Sequence, residues 1–528
     1  MTPRRAEAAF LVACVALLLA VQSVGIARPF LRHHESVGAE FGKHARNHLK
    51  FGLGTTLGLR LDVSGPRLEP YGNHRGYFYP SHPPLPVLLL AGAFAAFGVH
   101  EATHRALFML FSAAAVLLFR AVARRLVPPP YDRAATVLFA LFPAFAYYSI
   151  VTGLQVSAMT GALAALLFYL RWRESGRRGD YAGMAAGVSF ACLCAWPGYY
   201  VAPALLVAHL AARRPGRAAV AGLLGVNAAV FGLYALHLWA ADPGGLDPLR
   251  TLIEMGVSRS SLHAPSPTAY AAGEARELAL MFTLPALLLA AAWAASVLRR
   301  LREADNALVA GLGLLGLDEI LFAAVAARHE FYSYFLAPSL ALAAACGLRL
   351  VVPRVPPRAR AALVAGIGVA FLAQAGWTLE RRLRREGAYS FYHRLALAVR
   401  EATPPEAKIL LLTDNIPFYT PYYADRFFRW HDARNRELIT ENTGGRRPGF
   451  GEEDLLSYLR DNPDGMDVAV TADRETLLRE LPWMAGLDEE QLRSFGVDPG
   501  PSRSVSLLRE RHGPPRKTGG FHFWTLRP

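Results

Sequence analysis

Residues 117–178 begin Leu117-Leu118-Phe119-Arg120-Ala121-Val122-Ala123-Arg124-Arg125 and end Arg171-Trp172-Arg173-Glu174-Ser175-Gly176-Arg177-Arg178. Between the two arginine clusters the only charges are Asp132 and Arg133. Two apolar segments, 131–150 and 156–172, fill that gap, divided by the turn Tyr147–Gln155. Each is roughly 17 to 20 residues, enough for a helix across a hydrocarbon core of about 30 Å. Positive charge stays on the cytoplasmic side of a membrane, so the stretch predicts a hairpin that crosses outward and returns.

The same spacing recurs outward from it, with arginines clustering at Arg4-Arg5, Arg213 to Arg217, Arg299 to Arg302 and Arg349 to Arg360. Hydrophobic segments fill the gaps, and His, Tyr, Pro and a few acids sit at their midpoints. Those midpoints all face the side opposite the arginines, where any chemistry must assemble. The composition agrees: 528 residues, 53% hydrophobic, is too apolar for an ordinary soluble enzyme of this size. A net charge of +14 does not indicate nucleic acid, because the arginines flank apolar spans and suit anionic lipid headgroups. All four cysteines (Cys14, Cys192, Cys194, Cys346) lie in apolar runs, so no disulfide frame is expected, and Cys192-x-Cys194 reads as packing.

Ala8–Ala27 follows two arginines and suits a non-cleaved anchor with a cytoplasmic N-terminus. Leu85–Gly98 is short for a span, and counting it as one would place Arg124-Arg125 and Arg177-Arg178 outside; it is therefore read as non-spanning. Further crossings are expected at 104–124, 131–150, 156–172, 181–196, 198–212, 217–240, 278–298, 306–327, 331–350 and 359–378, about eleven in all. The expected fold is an all-α polytopic membrane protein of the cytoplasmic (inner) membrane, residues 1–384, with interfacial helices in a first outer loop 28–84. Residues 385–528 form a small extracytoplasmic α/β domain. Strand-like Lys408–Thr413 and Asp467–Thr471 alternate there with helical Tyr389–Glu401 and Glu452–Arg460, and Arg446–Gly451 reads as an exposed loop.

Glu40, Lys43, Arg46, Asn47 and Lys50 recur at helical spacing, as on an amphipathic helix at the membrane surface. A carboxylate beside cations there suits a general base opposite a phosphate clamp; the alternative is a solvated juxtamembrane helix. Pro83-Pro84 is a normal helix start, whereas the imidazole of His82 just before it is not needed for packing. Arg328-His329-Glu330-Phe331-Tyr332 gathers more polar groups than an aromatic belt requires. Asp318-Glu319 inside a hydrophobic span reads as functional by default, with interhelical pairing as the structural alternative.

These elements resemble the membrane-embedded class C glycosyltransferases, in the branch of protein O-mannosyltransferases, lipid A aminoarabinose transferases and related bacterial enzymes (family 39-like). The resemblance rests on Gly38-Ala39-Glu40-Phe41 leading to Ala45-Arg46-Asn47-His48-Leu49, then His82-Pro83-Pro84-Leu85 and Phe142-Pro143 before Tyr147-Tyr148. It continues through Trp196-Pro197-Gly198-Tyr199-Tyr200, Arg259-Ser260-Ser261 and His329-Glu330-Phe331-Tyr332, covering about 350 residues. It implies transfer of a hexose or pentose from a polyprenyl-phosphate donor to a lipid, glycan or protein acceptor on the outer face of the membrane. By the same resemblance Glu40 is the base or acceptor-positioning acid, with Glu35 in reserve. His82, Arg46 and Arg259 would neutralise the departing phosphate, with Asn47 and Gln155 also binding substrate, and Tyr332 and His329 would line the lipid headgroup site.

Relatives often have an acid just past the Tyr-Tyr turn and an Asp before Trp-Pro, where this chain has Gln155 and Ala195. Losing both weakens any claim to a metal-bound site, so no cofactor is expected and a divalent metal is not indicated. Two other readings stay open: a transporter or flippase of a lipid-linked substrate, and a catalytically degenerate member of the family. Against transport stand the missing internal repeat and the gathering of polar residues at one face.

Overall fold

The structure is a computed structural model describing residues 2–72, 74–241, 247–260, 266–297, 304–317, 321–326, 329–384, 389–412, 419–432, 436–440, 447–472, 476 and 503–527. Asp318, Glu319, Arg328 and Ser261 lie outside the described residues. The chain forms two compact units, one of residues 1–28 with 80–385 and the other of residues 29–79 with 386–528.

The first unit is helical and has a multi-pass membrane architecture. Among the described residues, six helices are long and apolar enough to cross a membrane: Pro3–Ser23, Glu101–Leu126, Leu154–Ser175, Arg217–Ala241, Glu330–Arg354 and Pro357–Arg384. The number is eight if each of two bent pairs is one span. About eleven crossings are expected from the sequence, and several of those segments are interrupted helices. The segments expected at 181–196 and 198–212 are helices Arg178–Cys194 and Val201–Ala211, parted by the turn Trp196–Tyr200 around Pro197. In the segment expected at 306–327 the α-helix Ala304–Leu312 gives way to the turn Gly313–Gly316, and Ala323–Ala326 is α-helical again. Helix Leu85–Phe97, with Pro86 in its first turn, has 13 residues, about 20 Å at 1.5 Å per residue.

Both bent pairs have local causes. Tyr131–Leu141 and Pro143–Thr152 meet at 45° because Pro143 pushes Phe142 out of helical geometry, to φ −54° and ψ 127°. Pro267–Phe282 and Leu284–Val297 meet at 107° around Thr283, whose φ of 65° is rare for a β-branched residue. Gln374, on the helix Pro357–Arg384, spans this break. Its amide nitrogen donates to Ala279 O at 2.9 Å, and its carbonyl oxygen accepts from Leu284 N at 2.9 Å. Within hydrocarbon no water replaces such partners. Gln374→Leu is therefore expected to cost about 1–3 kcal/mol per orphaned group and to lower the thermal midpoint in detergent by several degrees. An unchanged midpoint would show that the stitch is idle.

The second unit is built on a seven-stranded sheet. Its strands are β1 Lys408–Leu411, β2 Phe427–Asp432, β3 Glu437–Ile439, β4 Arg447–Pro448, β5 Val468–Ala472, β6 Arg516–Thr518 and β7 Phe521–Thr525. The order is β4-β3-β2-β1-β5-β7-β6, with β1 parallel to both neighbours and the remaining pairs antiparallel. Ile409, Leu410 and Leu411 are all fully buried, as expected of a central parallel strand covered on both faces. Arg447 and Pro448 are exposed, but they pair with β3 rather than forming a free loop.

Helix Tyr389–Ala402 covers the sheet with Phe391, Leu395 and Val399 at four-residue spacing. The same core takes in Phe30 and Ala39 from the first outer loop. Residues 29–79 therefore fold together with the tail. They contain helix Ser36–Phe51, in which Gly38 through Ala45, Asn47 and His48 are buried. The solvated alternative for this helix does not hold, because protein acceptors on later segments take up its cations.

Candidate functional site

In the second unit, Glu35 stands at the N-cap of helix Ser36–Phe51 and accepts a hydrogen bond from Arg32 N at 2.8 Å. His34 just before it has φ 60°, a left-handed conformation uncommon for a non-glycine residue. The helix carries Glu40, Lys43, His44 and Asn47 against the extended segment Leu59-Arg60-Leu61-Asp62-Val63. Asn47 Nδ2 donates to Leu61 O (2.9 Å) and Val63 O (2.8 Å), and His44 Nδ1 donates to Leu61 O at 3.0 Å. Lys43 Nζ pairs with Asp62 Oδ1 at 2.5 Å, both side chains 2% exposed or less.

Glu40 is the centre of this arrangement. Arg60 donates to its Oε1 at 3.0 Å, and His44 Nε2 lies 3.7 Å from the same oxygen. The Arg60 guanidinium sits 4.5 Å from the ring centroids of both Phe41 and Tyr79. Burial pushes the Glu40 carboxyl up, but His44 and the Arg60 charge outweigh it and hold the group below its ordinary range. Burial pushes His44 down against the pull of Glu40.

Arg46 and Lys50 follow on the same helix. Arg46 donates to Tyr422 O (2.7 Å), Pro421 O (3.3 Å) and Asp425 Oδ1 (3.0 Å). Lys50 Nζ reaches both Asp425 oxygens, at 2.6 and 2.7 Å. Burial, with Arg46 nearby, lowers Lys50 to about 8, whereas the two cations hold Asp425 below its ordinary range despite its burial. His48, hydrogen-bonded through Nδ1 to Thr56 Oγ1 at 2.8 Å, is lowered to about 4 by burial, with His44 adding to the effect. The sign of the pH effect follows. Between about pH 6.5 and 4 the unfolded chain binds a proton at His48 that the folded chain does not, so stability falls as pH drops through that window. The full effect is on the order of 3 kcal/mol. His48→Gln is expected to flatten the fall in thermal midpoint between pH 7 and pH 5; an unaltered slope would exclude His48 as its source.

In the first unit the segment before helix Leu85–Phe97 is held from three directions. Trp196 Nε1 donates to Ser81 O at 2.5 Å, the Tyr234 hydroxyl reaches Pro80 O (2.9 Å) and His82 O (3.2 Å), and Arg259 donates to Ser81 Oγ at 2.8 Å. The Arg259 side chain thus reaches the turn that carries His82. The helix ending at Arg259 packs against Ala323–Ala326, which packs against the turn Glu330–Leu336. His329 precedes that turn and stacks on Phe331, which also stacks on Tyr332. Glu330 accepts from the Tyr148 hydroxyl (3.2 Å) and from Arg382 (3.0 Å), and Arg382 also lies 3.5 Å from Glu277. Gln155, near the start of helix Leu154–Ser175, has a buried amide oxygen without a hydrogen-bond partner among the described residues. That helix packs against both Trp196–Tyr200 and Glu330–Leu336.

Sequence reasoning did not single out Arg60, Asp62, Tyr234, Arg382 or Asp425. The alternation Leu59-Arg60-Leu61-Asp62-Val63 was a visible signal of an extended segment with two charges on one face. Nothing local in the sequence pairs those charges with Glu40 and Lys43.

No protein-family model matches the chain, and no curated protein matches it in sequence. In fold it is similar to ArnT from Cupriavidus metallidurans bound to undecaprenyl phosphate, with a TM-score of 0.58 at 15% identity. That similarity covers 91% of this chain and 95% of the other. It is also similar to the archaeal oligosaccharyltransferase AglB from Archaeoglobus fulgidus in complex with an inhibitory peptide and a dolichol-phosphate. There the TM-score is 0.56 at 13% identity, covering 88% of this chain and 69% of the other. The Archaeoglobus fulgidus oligosaccharyltransferase in complex with zinc and sulfate gives a TM-score of 0.53 at 13% identity, covering 88% and 68%. The chain has the class C fold of polytopic membrane glycosyltransferases.

Proposed function

We propose that the protein transfers a sugar from a polyprenyl-phosphate donor to a lipid, glycan or protein acceptor on the outer face of the cytoplasmic membrane. The observation that carries this reading is the likeness in fold, over nine-tenths of the chain, to an enzyme bound to undecaprenyl phosphate. The topology proposed with it has about eleven crossings, counting the shorter helices. The N-terminus is then cytoplasmic, and the first outer loop and the tail lie outside.

In this reading Glu40 accepts the acceptor's proton as the sugar C1 is displaced, with Glu35 as the second acid. Its support is a buried carboxylate held below its ordinary range, with the Arg60 guanidinium 3.0 Å and His44 Nε2 3.7 Å from one of its oxygens. His82 and Arg259, which donates to the neighbouring Ser81, would meet the departing phosphate, and Tyr332 and His329 would line the headgroup site. Gln155 offers a neutral oxygen to a sugar or acceptor hydroxyl. For Arg46 and Asn47 we favour a different role: the two Arg46 Nη groups and the Asn47 amide nitrogen donate to backbone carbonyls and Asp425, which suits fastening the helix. Gln155 and Ala195 bring no carboxylate to the positions where an acid-bound metal would be held, so no step is routed through a metal.

The test is sugar transfer from undecaprenyl-phosphate pentoses and hexoses in membranes containing the chain. Transfer is expected, and it is expected to survive EDTA; loss with EDTA and recovery with a divalent cation would overturn the metal-free scheme. Substrate-driven flux into proteoliposomes without transfer would replace the reading by transport. Donor binding without turnover, whatever acceptor is supplied, would mark a degenerate member.

A further inference from the structure

The C-terminal segment Tyr419–Asp425 grips the acid-bearing helix through one carboxylate. Asp425 accepts from Arg46 at 3.0 Å, from Lys50 at 2.6 and 2.7 Å, and from Gly65 N at 3.1 Å. All three donors belong to the first outer loop, some 360 residues earlier or more. Asp425 lies just beyond helix Tyr419–Ala424, with φ 53°. Arg46 donates to Pro421 O and Tyr422 O near the end of that helix. The guanidinium also lies 5.3 Å from the centroid of the Tyr422 ring.

Packing seats the helix on the same segment. A Cβ at Gly42 would come within 2.7 Å of the Tyr422 ring, and one at Gly38 within 2.8 Å of Phe30. The Phe30 ring in turn lies tilted against Tyr422, centroids 5.9 Å apart, and its backbone N–H donates to the Tyr423 hydroxyl at 2.8 Å. A single exposed ion pair would be worth little. Here one part-buried carboxylate neutralises two cations of one helix face and orders a backbone N–H as well.

We propose that Asp425 is a positioning residue: through Arg46 and Lys50 it fixes helix Ser36–Phe51, and with it Glu35 and Glu40, in the geometry that sugar transfer requires. The segment Tyr419–Asp425 would thereby act on the site by holding the acid-bearing helix, without itself contacting substrate. The inference rests on the reading that an acid of the first loop takes the acceptor's proton. A misplacement of about 1 Å at such a group can cost on the order of 100-fold in rate.

The test uses the full chain in membranes. Asp425→Asn keeps the shape and removes the charge. It is expected to lower kcat by about 10- to 100-fold, with KM for the lipid donor within about twofold. Amide exchange should quicken across residues 36–51 and stay unchanged in β1 and β5. Asp425→Glu should recover most of the lost kcat. Lys50→Met should fall between wild type and Asp425→Asn, and the double variant should be no slower than Asp425→Asn, since both act on one contact. Wild-type kcat in Asp425→Asn, unchanged exchange in 36–51, or equally quickened exchange in the strands would each overturn the inference. If the wild-type protein transfers no sugar from any donor, the functional reading fails; the exchange comparison then still decides whether Asp425 holds the helix.

Discussion

Glu40→Gln is expected to lower sugar transfer by about 10²–10⁴-fold, with donor affinity changed by no more than a factor of a few. The substitution keeps the side chain's shape and its acceptor oxygen for Arg60, so the segment 59–63 stays docked while the proton-accepting charge disappears. Glu35→Gln separates the two acids: if Glu40 is the base, the loss there is much smaller. Arg60→Met supplies the electrostatic check. Arg60 helps hold Glu40 below its ordinary range, so without it the carboxyl rises and activity should fail at a higher pH on the acid side. Full activity in Glu40→Gln would remove this carboxylate from the mechanism.

Lys43→Met is expected to destabilise the unit formed by residues 29–79 and 386–528 by about 3–5 kcal/mol. Lys43 and Asp62 form an ion pair from which water is excluded, so removing the cation leaves a carboxylate charge in a low-dielectric site. The remedy identifies the cause: Lys43→Met with Asp62→Leu should be more stable than Lys43→Met alone, because the uncompensated charge is gone. Thermal unfolding in detergent, followed by amide exchange in β1 and β5, would read both variants. A Lys43→Met protein as stable as wild type would mean that Asp62 finds its compensation elsewhere and that the pair does not hold the loop.

Much of the helical unit was legible. Apolar length and arginine placement are local properties, and they located Glu101–Leu126, Leu154–Ser175, Arg217–Ala241 and Pro357–Arg384 within a few residues. The breaks were less legible. Phe142-Pro143 carries its own signal in the proline, whereas Thr283 turns a helix by 107° with its backbone groups answered by Gln374, some 90 residues later. The candidate site divides in the same way. Three- and four-residue spacing placed Glu40, Lys43, Arg46, Asn47 and Lys50 on one helix. Spacing reports which residues share a helix, but it carries no information about what covers them, so water, lipid headgroups and protein were equivalent at that level.

By itself, then, the order of residues determined a membrane-crossing chain with an α/β tail, because hydrophobic length and strand alternation act over ten to twenty neighbours. Only the tertiary structure decided that the first outer loop folds with the tail. Only it decided that Glu40 meets Arg60, that Lys43 meets Asp62, and that Asp425 gathers Arg46 and Lys50. Those pairings join residues between about 20 and nearly 400 positions apart. Their partners are selected by shape and by the cost of burying charge, which exist only once the chain has closed on itself.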